Sequence, residues 1–131
     1  MTPAEAISQL QGIAKGSKKA MKKAELRIAE KIANEARSNA PKDSGELVNS
    51  IGVEQDDELT TVFVGVSYAP YVEFGTGSLV SIPNGLEEEA RQFFINGKGH
   101  TSAQPFFFPA VFAIIDKLDE YLDEELSKLA E

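Results

Sequence analysis

The sequence has no cysteine, which excludes both a disulfide scaffold and a thiolate metal site. The same absence suits a chain that folds in a reducing cytoplasm. No stretch approaches the roughly 18 apolar residues needed to cross a bilayer, and the N-terminus lacks the apolar core of a signal peptide. No membrane role is expected. Histidine is nearly absent too: His100 is the only one, and it lies in the Gly-rich stretch 96–102, where rigid placement is hard. No Ser sits in a G-x-S-x-G elbow, and Gly97 to Ser102 lacks the spacing of a phosphate-binding loop. There is no internal repeat. These absences point away from an enzyme and imply no catalytic residue, no cofactor and no metal.

What is present is a single-domain complement of 131 residues, 42% hydrophobic, with eight Phe, enough to bury a core. The net charge of −8 is unevenly placed. Residues 1–39 carry eight Lys/Arg against four Asp/Glu, residues 40–115 three against ten, and residues 116–131 two against seven. An acidic chain is a poor candidate for coating nucleic acid. The basic cluster Lys15, Lys18, Lys19, Lys22 and Lys23 is the one candidate surface for a polyanion or an acidic partner, and as a bland alternative it is a solvated helix face.

Thr2, Pro3 and Glu5 read as the start of a helix. Gly16-Ser17 weakens that helix, so a break or kink is expected there, with residues 1–16 as a mobile arm. From Lys18 to about Asn39, Met21, Ala24, Ile28, Ile32 and Ala36 form an apolar stripe that Pro41 ends. Pro41 to Gly45 is a turn, and Glu46–Ser50 is a short helical turn begun by Ser44. Ile51–Gln55 and Leu59–Ser67 pair as an antiparallel hairpin around the acidic turn Asp56-Asp57-Glu58, which reads as solvated rather than cation-binding. Tyr68–Thr76 is a short helix begun at Pro70 and stopped by Gly75. A loop with one short strand is expected over 77–85, then a short amphipathic helix over Leu86–Ile95 opened by Glu87-Glu88-Glu89. Pro109 is placed at the first position of a long C-terminal helix, in which Val111, Ile115, Leu118, Leu122, Leu126 and Leu129 form an apolar stripe. That stripe reads as core, or as the seam for a partner helix. The expected fold is α+β: a small antiparallel sheet packed by long N- and C-terminal helices, with short helices in the connections.

Three separated segments carry a resemblance. The first is Ala40-Pro41-Lys42-Asp43-Ser44-Gly45-Glu46-Leu47-Val48-Asn49-Ser50-Ile51. The second is Val64-Gly65-Val66, then Tyr68-Ala69-Pro70-Tyr71-Val72-Glu73-Phe74-Gly75-Thr76. The third is Ala103-Gln104-Pro105-Phe106-Phe107-Phe108-Pro109-Ala110. In this order and spacing the chain resembles the small tail-completion, or head–tail joining, proteins of long-tailed bacteriophages and prophages. Residues 78–102 match no motif of that family.

The physical reading of these motifs is partly independent of the resemblance. Ser44-Gly45 turns the chain from helix to sheet, and Leu47 and Ile51 anchor the turn. Tyr68, Tyr71 and Phe74 bring aromatic area to one short element, and Glu73 and Thr76 are available to orient it. Each aromatic is either core or subunit contact. Pro105 and Pro109 bracket a Phe-rich segment, including Phe106, that this subunit or a neighbour must cover. The resemblance implies a structural virion protein, made in the bacterial host cytoplasm and placed at the head–tail junction or tail. It implies a homo-oligomeric ring around the DNA channel, with other neck or tail proteins as partners and non-specific contact with DNA. The competing reading is an accessory DNA-binding or packaging protein that uses the basic N-terminal helix; a third, a small enzyme, would rest on His100.

Overall fold

The computed structural model describes residues 2–43, 45–91 and 101–129, without the side chains of 10–15, 78, 91 and 129. A single helix, α1 (Pro3–Asn39), organises the rest. It starts in a reciprocal capping box: Glu5 N–H donates to Thr2 Oγ1 (3.1 Å) and Thr2 N–H donates to Glu5 Oε2 (2.9 Å), with Pro3 in the first turn. It ends where Ala40 turns extended, as the residue before a proline must. Gly16-Ser17 does not interrupt it, contrary to the expected break: one glycine costs a long helix only about 1 kcal/mol, and the turns on either side outweigh that.

The buried face of α1 is Ala24, Ile28, Ala29, Ala33 and Ala36, continued by Ala40 at its C-cap. It is turned slightly from the stripe read in the sequence, for Met21 is exposed and Ile32 half-buried. Small side chains let neighbours approach closely. Accordingly α1 packs against the hairpin and against both C-terminal helices.

The chain then forms α2 (Glu46–Asn49), β1 (Ile51–Gln55) and β2 (Thr60–Val64). Gly45, at φ 76°, occupies the N-cap of α2, the position expected for Ser44, which lies outside the described residues. The strands pair antiparallel with Ile51 opposite Val64 and Gln55 opposite Thr60. The second strand is shorter than its β-branched run because α2 occupies the chain until Asn49; past the Ile51–Val64 pair, Gly65 N–H donates to Ser50 O (2.8 Å) outside the ladder. A two-stranded sheet is marginal alone, so α1 stabilises it. Arg37 Nη2 donates to Ile51 O (2.7 Å), Thr60 Oγ1 donates to Glu25 (3.1 Å), and Lys22 Nζ donates to Asp56 O in the hairpin turn.

After α3 (Ala69–Phe74) come a 3-10 turn (Gly77–Leu79) and α4 (Glu87–Arg91). The 3-10 turn replaces the strand expected in 77–85, and the remainder of the expected Leu86–Ile95 helix lies outside the described residues. The C-terminal segment is two helices rather than one, α5 (Phe107–Ile115) and α6 (Leu118–Leu129). Lys117 N–H donates to Ile114 O (3.1 Å), an i→i+3 bond, before Tyr121 N–H resumes the i→i+4 pattern. Pro109 is the third residue of α5, not the first. Among the described side chains the expected leucine stripe is only half covered, with Ile115 52% exposed, while Ala110, Ile114 and Glu125 are buried. The α+β class is as expected, and the main core joins Ala33, Ala36, Leu47, Ile51, Phe106 and Ala110.

Candidate functional site

The three motif segments, far apart in sequence, meet in space. Leu47 and Ile51 from the first, Ala69 from the second and Phe106 and Ala110 from the third share the main core. Their junction is organised by one carboxylate. Pro70 opens α3 and Gly75, at φ 80°, closes it. Glu73, in its last turn, is 4% exposed. Its Oε1 accepts the N–H groups of Phe106 (3.1 Å) and Phe107 (2.8 Å), and Oε2 accepts that of Phe108 (3.3 Å).

These are the N-cap and first two residues of α5, whose amides have no partner within the helix. The fourth such position is Pro109, which has no N–H. Every orphan donor at this helix start is therefore satisfied or absent, and a negative group sits where the helix dipole favours it. Proline at the third position of α5 is a consequence of that arrangement.

Backbone bonds hold the same junction. Gln104 N–H donates to Val72 O (2.8 Å), and Thr76 N–H donates to Thr101 O (2.9 Å). In return Thr101 N–H donates to Thr76 Oγ1 (2.8 Å). A Cβ on Gly75 would stand 2.6 Å from Leu79 O, 2.8 Å from Ala103 N and 2.9 Å from Thr101 O, so only glycine fits there. Asn39 Nδ2 ties the end of α1 to Phe106 O (3.3 Å). Phe74 stacks on Phe108 with centroids 5.9 Å apart, and Phe107 meets Phe108 edge-on at 5.4 Å. A recess of about 360 Å³ opens beside Glu73, lined by Val64, Val66, Pro70 and four phenylalanines, Phe74 and Phe106 to Phe108.

The site residues read from the sequence divide into two groups. Leu47, Ile51, Glu73, Phe74 and Phe106 are buried, Gly45 and Gly75 turn the backbone, and Thr76 closes the loop. Tyr68 and Tyr71 keep 37% of their surface each, and Pro105 and Pro109 are exposed, whereas Pro41 is half-buried. Among the lysines, Lys18, Lys19 and Lys23 are exposed and Lys22 is engaged with the hairpin turn. The side chain of Lys15, and His100 entirely, lie outside the described residues. Arg37 and Asn39 were missed; their only signal was two polar residues in the last turn of a helix running into a proline.

Among the described residues no cluster of His, Cys, Asp or Glu has the makings of a metal site, and no helix is long and apolar enough to cross a membrane. The buried carboxylate Glu73 is engaged with backbone donors, which is structural work. Fold and site together define a small α+β protein whose motif residues hold its own halves together. The model of the family described as "Bacteriophage HK97-gp10, putative tail-component" matches residues 4–75. That is more than half of the chain, and the chain belongs to this family of phage tail components. No curated protein and no solved structure gave a significant match.

Proposed function

We propose that this chain is a non-enzymatic virion subunit that completes the phage tail or joins it to the head, assembled as a ring around the DNA channel. The observation that carries the reading is membership of the tail-component family over residues 4–75. The third motif lies beyond that match and is bonded to the second through Glu73, which supports treating residues 40–110 as one functional unit. Partly exposed Tyr68, Tyr71 and Phe112 supply aromatic area of the kind enriched in subunit contacts.

Deleting the gene from the parent phage or prophage should leave filled heads and finished tails that fail to join. Electron microscopy of the lysate reads this directly, and expression in trans should restore whole particles. Normal, infectious virions from the deletion would refute the proposal.

Exposed Lys18, Lys19 and Lys23 favour a second reading, non-specific contact with duplex DNA. It requires binding that falls steeply with salt, and absence of binding at about 50 mM salt would remove it.

A further inference from the structure

Two features of the fold have no use within a single copy. The first is the N-terminal part of α1. Among the described residues its first buried position is Ala24 and its first long-range hydrogen bond is made by Lys22. Before Ala20 the described side chains are exposed apart from a half-buried Ala6, and Ile7 is 56% exposed. At about 1.5 Å per residue, some 27 Å of helix projects as an arm.

The second feature is a trough of about 460 Å³ between α1, the hairpin and α6. Met21, Leu59, Leu118 and Leu122 line it, and Met21 and Leu59 are 42% and 64% exposed. Its lining charges, Glu25 and Glu58, are acidic; exposed Asp57 and Asp119 adjoin Glu58 and Leu118, against the exposed Lys117 on the other side of Leu118 and Lys22, which is engaged with Asp56 O.

The arm has the complementary character. Residues 3–20 carry three lysines and one glutamate, and that glutamate, Glu5, is engaged in the capping box. The helical backbone places positions 7, 10 and 14 on one face, while Lys18 and Lys19 are exposed farther along. A continuous helix cannot fold back into its own trough. The trough follows α1 from Met21 to Ile32, roughly 17 Å, so an arm is long enough to cover it.

We infer that the arm of one copy docks in the trough of the next, with apolar residues against apolar and lysines against the acidic rim. Arm and trough are different surfaces, so the contact is head-to-tail and propagates until a rotation closes it. Closure into a ring rests on the function proposed above; the docking itself does not.

The absence of cysteine makes the test clean. In the full chain, Ile7→Cys is combined with Leu59→Cys in one variant and with Met21→Cys in another, both trough positions, and each is oxidised. The expected result is a ladder of disulfide-linked oligomers from at least one double variant, and little product from Ile7→Cys alone. No ladder from either pair overturns the inference. So does efficient dimerisation of Ile7→Cys alone, which would mean that arms pair with arms.

Without cross-linking, Lys18→Glu with Lys19→Glu should weaken self-association about tenfold at low salt. Adding Asp57→Lys and Asp119→Lys should restore it; unchanged association in the first variant also overturns the docking. The two proposals fail separately. Normal virions after gene deletion end the virion role even if the ladder forms, whereas unjoined heads and tails without a ladder end only the docking.

Discussion

Replacing Glu73 by Met keeps the length and most of the volume of the side chain but removes both acceptors from the start of α5. Three amides then lose their partner. A buried donor without a partner costs about 1–3 kcal/mol. The Phe106 amide belongs to a residue 1% exposed and cannot recover water, whereas Phe107 and Phe108 are half-buried and recover part of theirs. The expected loss is about 3–5 kcal/mol, a large share of the stability of a single domain. Glu73→Gln separates acceptor from packing. Its amide oxygen can still take Phe106 and Phe107, and only the longest bond, to Phe108, becomes a donor–donor contact; the loss should be about 1–2 kcal/mol. Urea unfolding followed by circular dichroism gives both numbers, and amide hydrogen exchange should show residues 106–108 losing protection first. A Glu73→Met loss below about 1 kcal/mol, or equal losses in the two variants, would refute the capping argument.

Gly75→Ala should be severely destabilising, because its Cβ meets three backbone atoms at a positive φ. Gly85→Ala, at φ 92° with open space around it, should cost only about 1 kcal/mol of backbone strain; comparable thermal midpoints for the two would contradict this. Arg37→Met removes the side-chain bond to Ile51 O and should cost about 1–2 kcal/mol, measurable by the same urea titration. In the hairpin turn, Asp56 accepts the N–H groups of Leu59 and Glu58, which hold its carboxyl below the usual 3.8, with Lys22 adding to the effect. Its contribution is therefore present above the ordinary carboxylate range and lost only as pH falls through the lowered value. An NMR titration midpoint for Asp56 at or above 3.8 would show that these bonds are absent in solution.

Much of this fold is legible locally. Thr2, Pro3 and Glu5 announce the start of α1, Pro41 its end, and β-branched alternation with an acidic turn the hairpin. The division of the C-terminal segment was not legible, because neither glycine nor proline marks Asp116-Lys117 and the apolar period runs on through it. Burial of Glu125 in place of an aliphatic neighbour is likewise a matter of tertiary packing, not of periodicity. The site was half legible. Its motif residues stand out, but the partners of Glu73 lie 33 to 35 positions away, and no local pattern tells a carboxylate which helix it will cap.

The Thr76–Thr101 bonds have a consequence for how this chain can vary. They close the intervening segment at its neck, and Gly75 leaves no slack there. The main core lies on either side of that neck, and Leu86 and Ala90 within the excursion form a second cluster with Phe74, so the excursion can lengthen outside that cluster without moving Glu73 or the start of α5. Doubling such a loop costs only about 0.6 kcal/mol of closure entropy. Natural insertions, grafted peptides and affinity tags belong at the exposed Asn84-Gly85 turn, where a Cβ on Gly85 meets open space. The neck is the point at which a fixed scaffold and a changeable surface can be altered independently.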